Sequence, residues 1–285
     1  MDSVRQRGRS HIAGKLILLA LLLPPAMDGW GGDAIGKLAD LPYREPIGVD
    51  LGFSYTRGNY SESVPSESRA KTLSVQWTAF DTDFQLSTSY LNRTAPAGTI
   101  ITRVKKHVTV TPRLVTSSGE GDVLISANRE ILEDPATAIA VNLIGGANIA
   151  AADSSKGLGT GKNDYFLGLT ASYPLEKALL SGGAKYSVLG SPGKIKVNGI
   201  LEDLQFQNVW SGFISLSTEF FPRNTTAISF SIEQPSGSGT SYYQAAEISS
   251  SYRFSNYGGI RFYATKGATQ NSPDWSAGMG LYTSF

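Results

Sequence analysis

The chain has 285 residues, a formal net charge of +1 and only 17% charged residues, against about 25% in ordinary soluble domains. So small a net charge leaves no bulk electrostatic case for a nucleic-acid partner. With no cysteine, a disulfide framework, thiolate metal sites, a cysteine nucleophile and a lipidated N-terminal cysteine are all excluded.

From the N-terminus, Arg5, Arg7, Arg9 and Lys15 precede the apolar run "LILLALLL" at 16–23, which Pro24, Pro25 and Ala26 follow. A basic segment before a short apolar core is the pattern of a secretory signal, and the run falls below the ~17 residues that a membrane helix needs. The expected organisation is a signal peptide over 1–27, cleaved between 26 and 34, and a periplasmic lead-in or plug segment over 28–46. A barrel domain over 47–285 follows.

Beyond residue 47 the polarity alternates with period 2. Val49, Leu51, Phe53 and Tyr55 interleave with Asp50, Gly52, Ser54 and Thr56; Leu73, Val75, Trp77 and Ala79 interleave with Thr72, Ser74, Gln76 and Thr78. Such alternation marks a strand with a different environment on each face. Comparable segments fall at 84–91, 122–131, 136–147, 164–173, 178–189, 206–220, 225–234, 243–254, 258–265 and 275–285. With the first two they make twelve. Short connections such as "FDTD", "PLEK" and "PRN" alternate with longer polar ones, the asymmetry of transmembrane barrels. Counting 103–116 as a further strand would break that alternation and the even strand number, so it is assigned to an outer loop, at most a strand extension above the membrane.

A soluble β-sandwich also alternates, but its wet face would carry more Lys and Glu than the Ser, Gly and Thr found here. Trp275 and Phe285 lie ~33 Å apart along a strand, or ~25 Å vertically at a tilt near 40°, which matches a barrel's apolar band with an aromatic at each edge. The predicted fold is therefore all-β: an antiparallel transmembrane β-barrel of about 12 strands. Trp77, Tyr90, Trp210, Phe220, Phe221, Tyr252, Phe254, Tyr257 and Trp275 fall near predicted strand ends and read as interfacial girdle.

The face opposite the apolar set carries Asp50, Glu130, Lys185, Glu219, Glu233, Glu247, Arg253 and Arg261. Inward charges must be paired or hydrated, so these residues form a structural ion-pair network, a pore lining that sorts solutes by charge, or both. "KGLGTGKNDY" at 156–165 fails as a phosphate-binding loop, because Lys156 and Asn163 stand where glycine and Ser or Thr are required. Once the leader is removed, His107 is the single histidine. It sits in the basic stretch "RVKKHVT", which suits contact with phosphates of the outer leaflet or with an anionic solute better than Ser-His catalysis. No His and carboxylate group has metal spacing, and no cofactor is expected.

Tyr282 and Phe285, with apolar residues at alternate positions before them, resemble the C-terminal signal read by the barrel-assembly machinery. "GEGDV" at 119–123, "GLGTGKNDYFLGL" at 157–169 and "YRFSNYGGIRFYATKGATQNSPDWSAGMGL" at 252–281 together resemble the outer-membrane family named for the MetA pathway of phenol degradation. Gly119, Gly121, Asp122, Leu158, Gly159, Thr160, Gly161, Asp164, Thr265, Lys266 and Gly267 occupy that family's motif positions. Glu120 departs from the apolar residue usual between the two glycines, and the segment before it is long. The resemblance implies an outer-membrane barrel passing aromatic or other small hydrophobic compounds. Loops at 119–122, 157–164 and 265–267 would form its outer rim.

The expected function is passive passage of a small organic solute through a bacterial outer-membrane channel. Its partners would be the solute, outer-membrane lipid with lipopolysaccharide, and the assembly machinery. The rivals are a lipid-modifying barrel enzyme, which would need His107 beside a serine at the membrane edge, and a plugged structural barrel.

Overall fold

Residue-by-residue alternation dictates two faces, and a computed structural model shows what each face meets. It describes residues 47–60, 64–104, 107–197, 200–237 and 241–285. The expected signal peptide and lead-in, 1–27 and 28–46, lie outside the described residues. The strands are β1 (Ile47–Gly58), β2 (Ser66–Ala79), β3 (Thr82–Val104), β4 (His107–Glu120), β5 (Val123–Asp134), β6 (Ile139–Ile149), β7 (Asp164–Pro174), β8 (Ala178–Val188), β9 (Gly193–Val197), β10 (Ile200–Leu204), β11 (Val209–Phe221), β12 (Asn224–Glu233), β13 (Tyr243–Arg253), β14 (Gly258–Gly267) and β15 (Trp275–Ser284).

Each stave pairs antiparallel with its neighbours, and β1 pairs with both β2 and β15. The sheet closes into a 12-stranded antiparallel barrel. Closure removes the free edges that hydrocarbon surroundings do not tolerate. The faces are inverted relative to a soluble protein. Leu51, Phe53, Leu167, Leu169, Ile214, Ile228, Ile248 and Phe262 are exposed on the outside, whereas Ser68, Ser74, Ser87, Ser215, Ser229 and Ser276 are buried on the inside. An apolar exterior around a polar interior is the pattern of a membrane-spanning barrel. Aromatics pair at both rims of the outer face: Tyr55 with Trp275 at 5.0 Å and Tyr186 with Trp210 at 5.1 Å at one end, Trp77 stacked on Phe84 at 5.5 Å at the other.

One end carries only tight turns. Phe80 and Asp81 connect β2 to β3 with φ of 53° and 55°, the left-handed pair that matches strand twist in a two-residue hairpin. Pro222 and Arg223 connect β11 to β12, with Arg223 at φ 67°. The other end carries the long connections, including the β9–β10 hairpin between β8 and β11.

Within 103–116, the described residues 103–104 and 107–116 are strand, not loop. β3 continues past Thr94, its last residue paired with β2, to Val104, and β4 returns along it with Val104 opposite His107. β4 and β5 pair with the same edge of β3, interrupted at Gly121, whose N–H donates to the Ser89 carbonyl at 2.7 Å. They are therefore one long stave broken once, and the count of twelve survives while the ribbon rises beyond the barrel.

Candidate functional site

Strand alternation turns one residue in two inward, and these residues form the candidate site. Of the charged positions that parity selects, Asp50, Lys185, Glu233, Glu247 and Arg261 are buried in the interior. Arg253 is half-buried at the short-turn end, and Glu130 and Glu219 are exposed there. The last two sit at register shifts, between Glu130 and Leu132 on β5 and between Thr218 and Phe221 on β11. An extra residue in a ladder re-aims its neighbours, so simple parity loses its meaning at Glu219, while Glu130 keeps register with inward Asn142 and is exposed at the rim.

The interior charges gather in two places. Near the short turns, Arg261 Nη2 lies 3.3 Å from Asp50 Oδ2, with both side chains 4% exposed. The two are not on neighbouring strands: β15 runs between β1 and β14, with Gly280 opposite both Arg261 and Gly52. A Cβ at Gly280 would stand 3.3 Å from both groups, so this glycine clears the path of the ion pair. Nearer the long loops, Lys185, Ser211, Glu233 and Tyr243 occupy one registered row across β8, β11, β12 and β13. Lys185 Nζ lies 5.1 Å from the centre of the Phe166 ring, and Thr265 Oγ1 donates to Glu247 Oε2 at 2.9 Å.

Large inward side chains share one arrangement. Tyr263, Tyr282, Phe166 and Phe213 stand opposite Gly278, Gly259, Gly146 and Gly183 respectively. A Cβ would overlap the ring in each case, at 2.6 Å from Phe166 Cζ for Gly146 and 2.7 Å from Phe213 Cε1 for Gly183. The rings lie flat against the wall over the space that glycine leaves, which is the cross-strand aromatic–glycine device. Tyr282, half of the proposed assembly signal, is one of these buried rings, while Phe285 is exposed on the outside and its N–H donates to the Ile47 carbonyl at 2.9 Å.

At the long-loop end, most of the rim candidates converge. Asp122 Oδ1 accepts the N–H groups of Ala151 at 3.0 Å and Ala152 at 2.9 Å. Arg93, an inward residue of β3 just beyond the alternating segment read at 84–91, donates from Nη1 to the Gly157 carbonyl at 2.9 Å. Leu158 is buried against Gly119, where a Cβ would come within 2.9 Å of Leu158 Cδ1. Gly159 packs on Ala152 and on the Asp122 carboxylate. A single 3-10 turn, Ser154–Lys156, shapes the loop; Asp153 caps it, and Gly157 ends it at φ 68°. Hydrogen bonds from the Ser155 hydroxyl and N–H hold the Asp153 carboxyl below the usual carboxylate range.

Gly161 turns at φ 72°, Thr160 Oγ1 accepts the Lys162 N–H at 3.2 Å, and Asp164 Oδ1 accepts the Gly190 N–H at 2.8 Å. Gly121 packs on Ser89 and Leu91. Lys266 stands apart, exposed on the outward face opposite Ala246. The backbone of His107 begins β4 at the tip of the ribbon. Among the described residues, no three His, Cys, Asp or Glu side chains are grouped to hold a metal ion.

No family model matches the chain, and no curated protein matches it by sequence. Its fold is similar to that of the COG4313 outer membrane channel from Pseudomonas putida F1, at 10% identity and a TM-score of 0.63, over 86% of this chain and 97% of that one. It is also similar to the NanC porin, at 11% identity and a TM-score of 0.52, over 83% of this chain and all (100%) of that one. The translocator domain of the autotransporter NalP from Neisseria meningitidis aligns at 11% identity with a TM-score of 0.53, over 84% and 88% of the two chains. At these identities the likeness is one of fold.

Proposed function

We propose that the protein is a channel of the bacterial outer membrane, reached through a cleaved signal peptide, for passive passage of a small organic solute. The observation that carries this reading is the flattened interior: small Ser, Thr and Gly side chains, with Phe166, Phe213, Tyr263 and Tyr282 laid against the wall over glycines. Two of the similar folds belong to proteins described as an outer membrane channel and a porin, which supports the same class. The motifs shared with the phenol-degradation family favour aromatic or other hydrophobic solutes. Rim aromatics and Lys266 suit contact with outer-membrane lipid and lipopolysaccharide, and the Tyr282–Phe285 end suits the assembly machinery.

Planar-bilayer recording of the purified protein tests the proposal. Discrete ion steps are the expected result; silence accompanied by fatty-acid release from lipid would favour the enzyme instead. A closed channel that opens when 28–46 is deleted would favour the plugged barrel.

A further inference from the structure

One arc of the interior is lined by side chains with unmet hydrogen-bonding capacity. Gln85 on β3, Asn128 on β5, Asn142 on β6 and Ser181 on β8 are inward and 5%, 7%, 4% and 3% exposed. Register makes them a continuous diagonal. Gln85 faces Ser126, two residues before Asn128; Asn142 faces Glu130, two residues after it; and Thr170 links Asn142 to the Ser172–Ser181 pair on the next strands. Gln85 and Asn128, and Asn128 and Asn142, are diagonal pairs roughly 7–8 Å apart, and Ser181 lies one strand further on, beyond β7. Gln85, Asn142 and Ser181 each sit three residues inside the short-turn end of their strands, as do Asp50 and Arg261 on the opposite arc.

Among the described residues, Gln85 Nε2, both amide atoms of Asn128, Asn142 Oδ1 and Ser181 Oγ are buried without a hydrogen-bond partner. Native interiors pair nearly all such atoms, so a group of them along one arc of staves, β3, β5, β6 and β8, asks for a partner that is not protein. The set offers two amide donors, two carbonyl acceptors and a hydroxyl that can be either. It brings no formal charge, so it offsets the desolvation of an ion less well than a counter-charge would. A purely apolar molecule would leave the same atoms unmatched.

We propose that this carboxamide belt selects uncharged solutes bearing hydroxyl or amide groups, a narrowing that rests on the channel reading above. Asp50 and Arg261, the buried charges at that depth, close on each other and leave the amides to discriminate.

The test is the double variant Asn128→Leu/Asn142→Leu, which keeps the number and branching of side-chain heavy atoms and removes the polar ones. Its folding is checked by heat-modifiable migration on gels. Arabinose-driven liposome swelling should slow about tenfold, the equivalent of roughly one or two net hydrogen bonds, while KCl conductance in bilayers changes less than about twofold. Equal loss of both, or loss of neither, would overturn the belt. Should the double variant not fold, Asn142→Asp is expected to shift the zero-current potential in a KCl gradient toward cation selectivity, and an unmoved potential would remove Asn142 from the path. Wild-type protein with neither swelling nor conductance would instead defeat the channel reading itself.

Discussion

At the short-turn end, connections of two to four residues join neighbouring strands and the wall is ordered by register; at the long-loop end, single side chains hold a folded loop in place. Register is redundant, because every stave shares a ladder of rungs with two others and a local fault is spread along it. The mouth has no such reserve. Its 150–163 loop is tied by Arg93 to Gly157 and by Asp122 to Ala151 and Ala152. The barrel body should therefore answer substitution with global stability, and the mouth with local order.

The largest effect should come from halving the buried ion pair. Arg261→Met leaves Asp50 charged and enclosed, and is expected to cost about 3–5 kcal/mol in urea unfolding from lipid vesicles, with Asp50→Asn/Arg261→Met recovering most of it. A loss near zero would mean that register alone orders the body. Next comes Gly183→Ala. Its methyl meets the Phe213 ring, the Leu169 carbonyl and Thr170, and overpacking of this kind costs about 1–3 kcal/mol. The displaced ring should also lower single-channel conductance. The smallest global effect is expected at the mouth: Asp122→Ala removes two accepted hydrogen bonds, about 1 kcal/mol each. It should speed limited proteolysis within 150–163 while the unfolding midpoint of the barrel stays put. A shifted midpoint would show that the mouth and body are one cooperative unit.

Period-2 alternation makes the twelve staves legible in the sequence, because hydrocarbon outside and polar groups inside demand it of every strand. Two things defeat the pattern. The β3–β4 ribbon rises beyond the barrel, where neither environment is imposed, so 103–116 reads as loop although most of its described residues are paired in the ladder. A bulge at Glu219 shifts the ladder and Glu130 sits at the rim just before another, so both charges picked by parity lie outside the interior. Asp50, Lys185, Glu233, Glu247 and Arg261 are found because an inward charge is conspicuous against serine. Gln85, Asn128 and Asn142 share the same parity, but neutral amides carry no such signal. The convergence of Asp122 with Leu158 and Gly159 is invisible to spacing, since 30 residues separate Asp122 from Ala152.

Arg261 and Asp50 are 211 residues apart along the chain, and between them runs β15, the strand that meets β1 from Gly48 opposite Ser284 to Arg57 opposite Trp275. Every other stave joins a near neighbour in sequence; this joint alone fastens the cylinder's two extremes. The entropy of bringing such distant segments together must be met before their contacts reward it, although each doubling of separation adds only about 0.6 kcal/mol. The Asp50–Arg261 pair reaches across β15 and ties β14 to β1, so a side-chain bond doubles the backbone ladder at the one seam where the chain's ends meet.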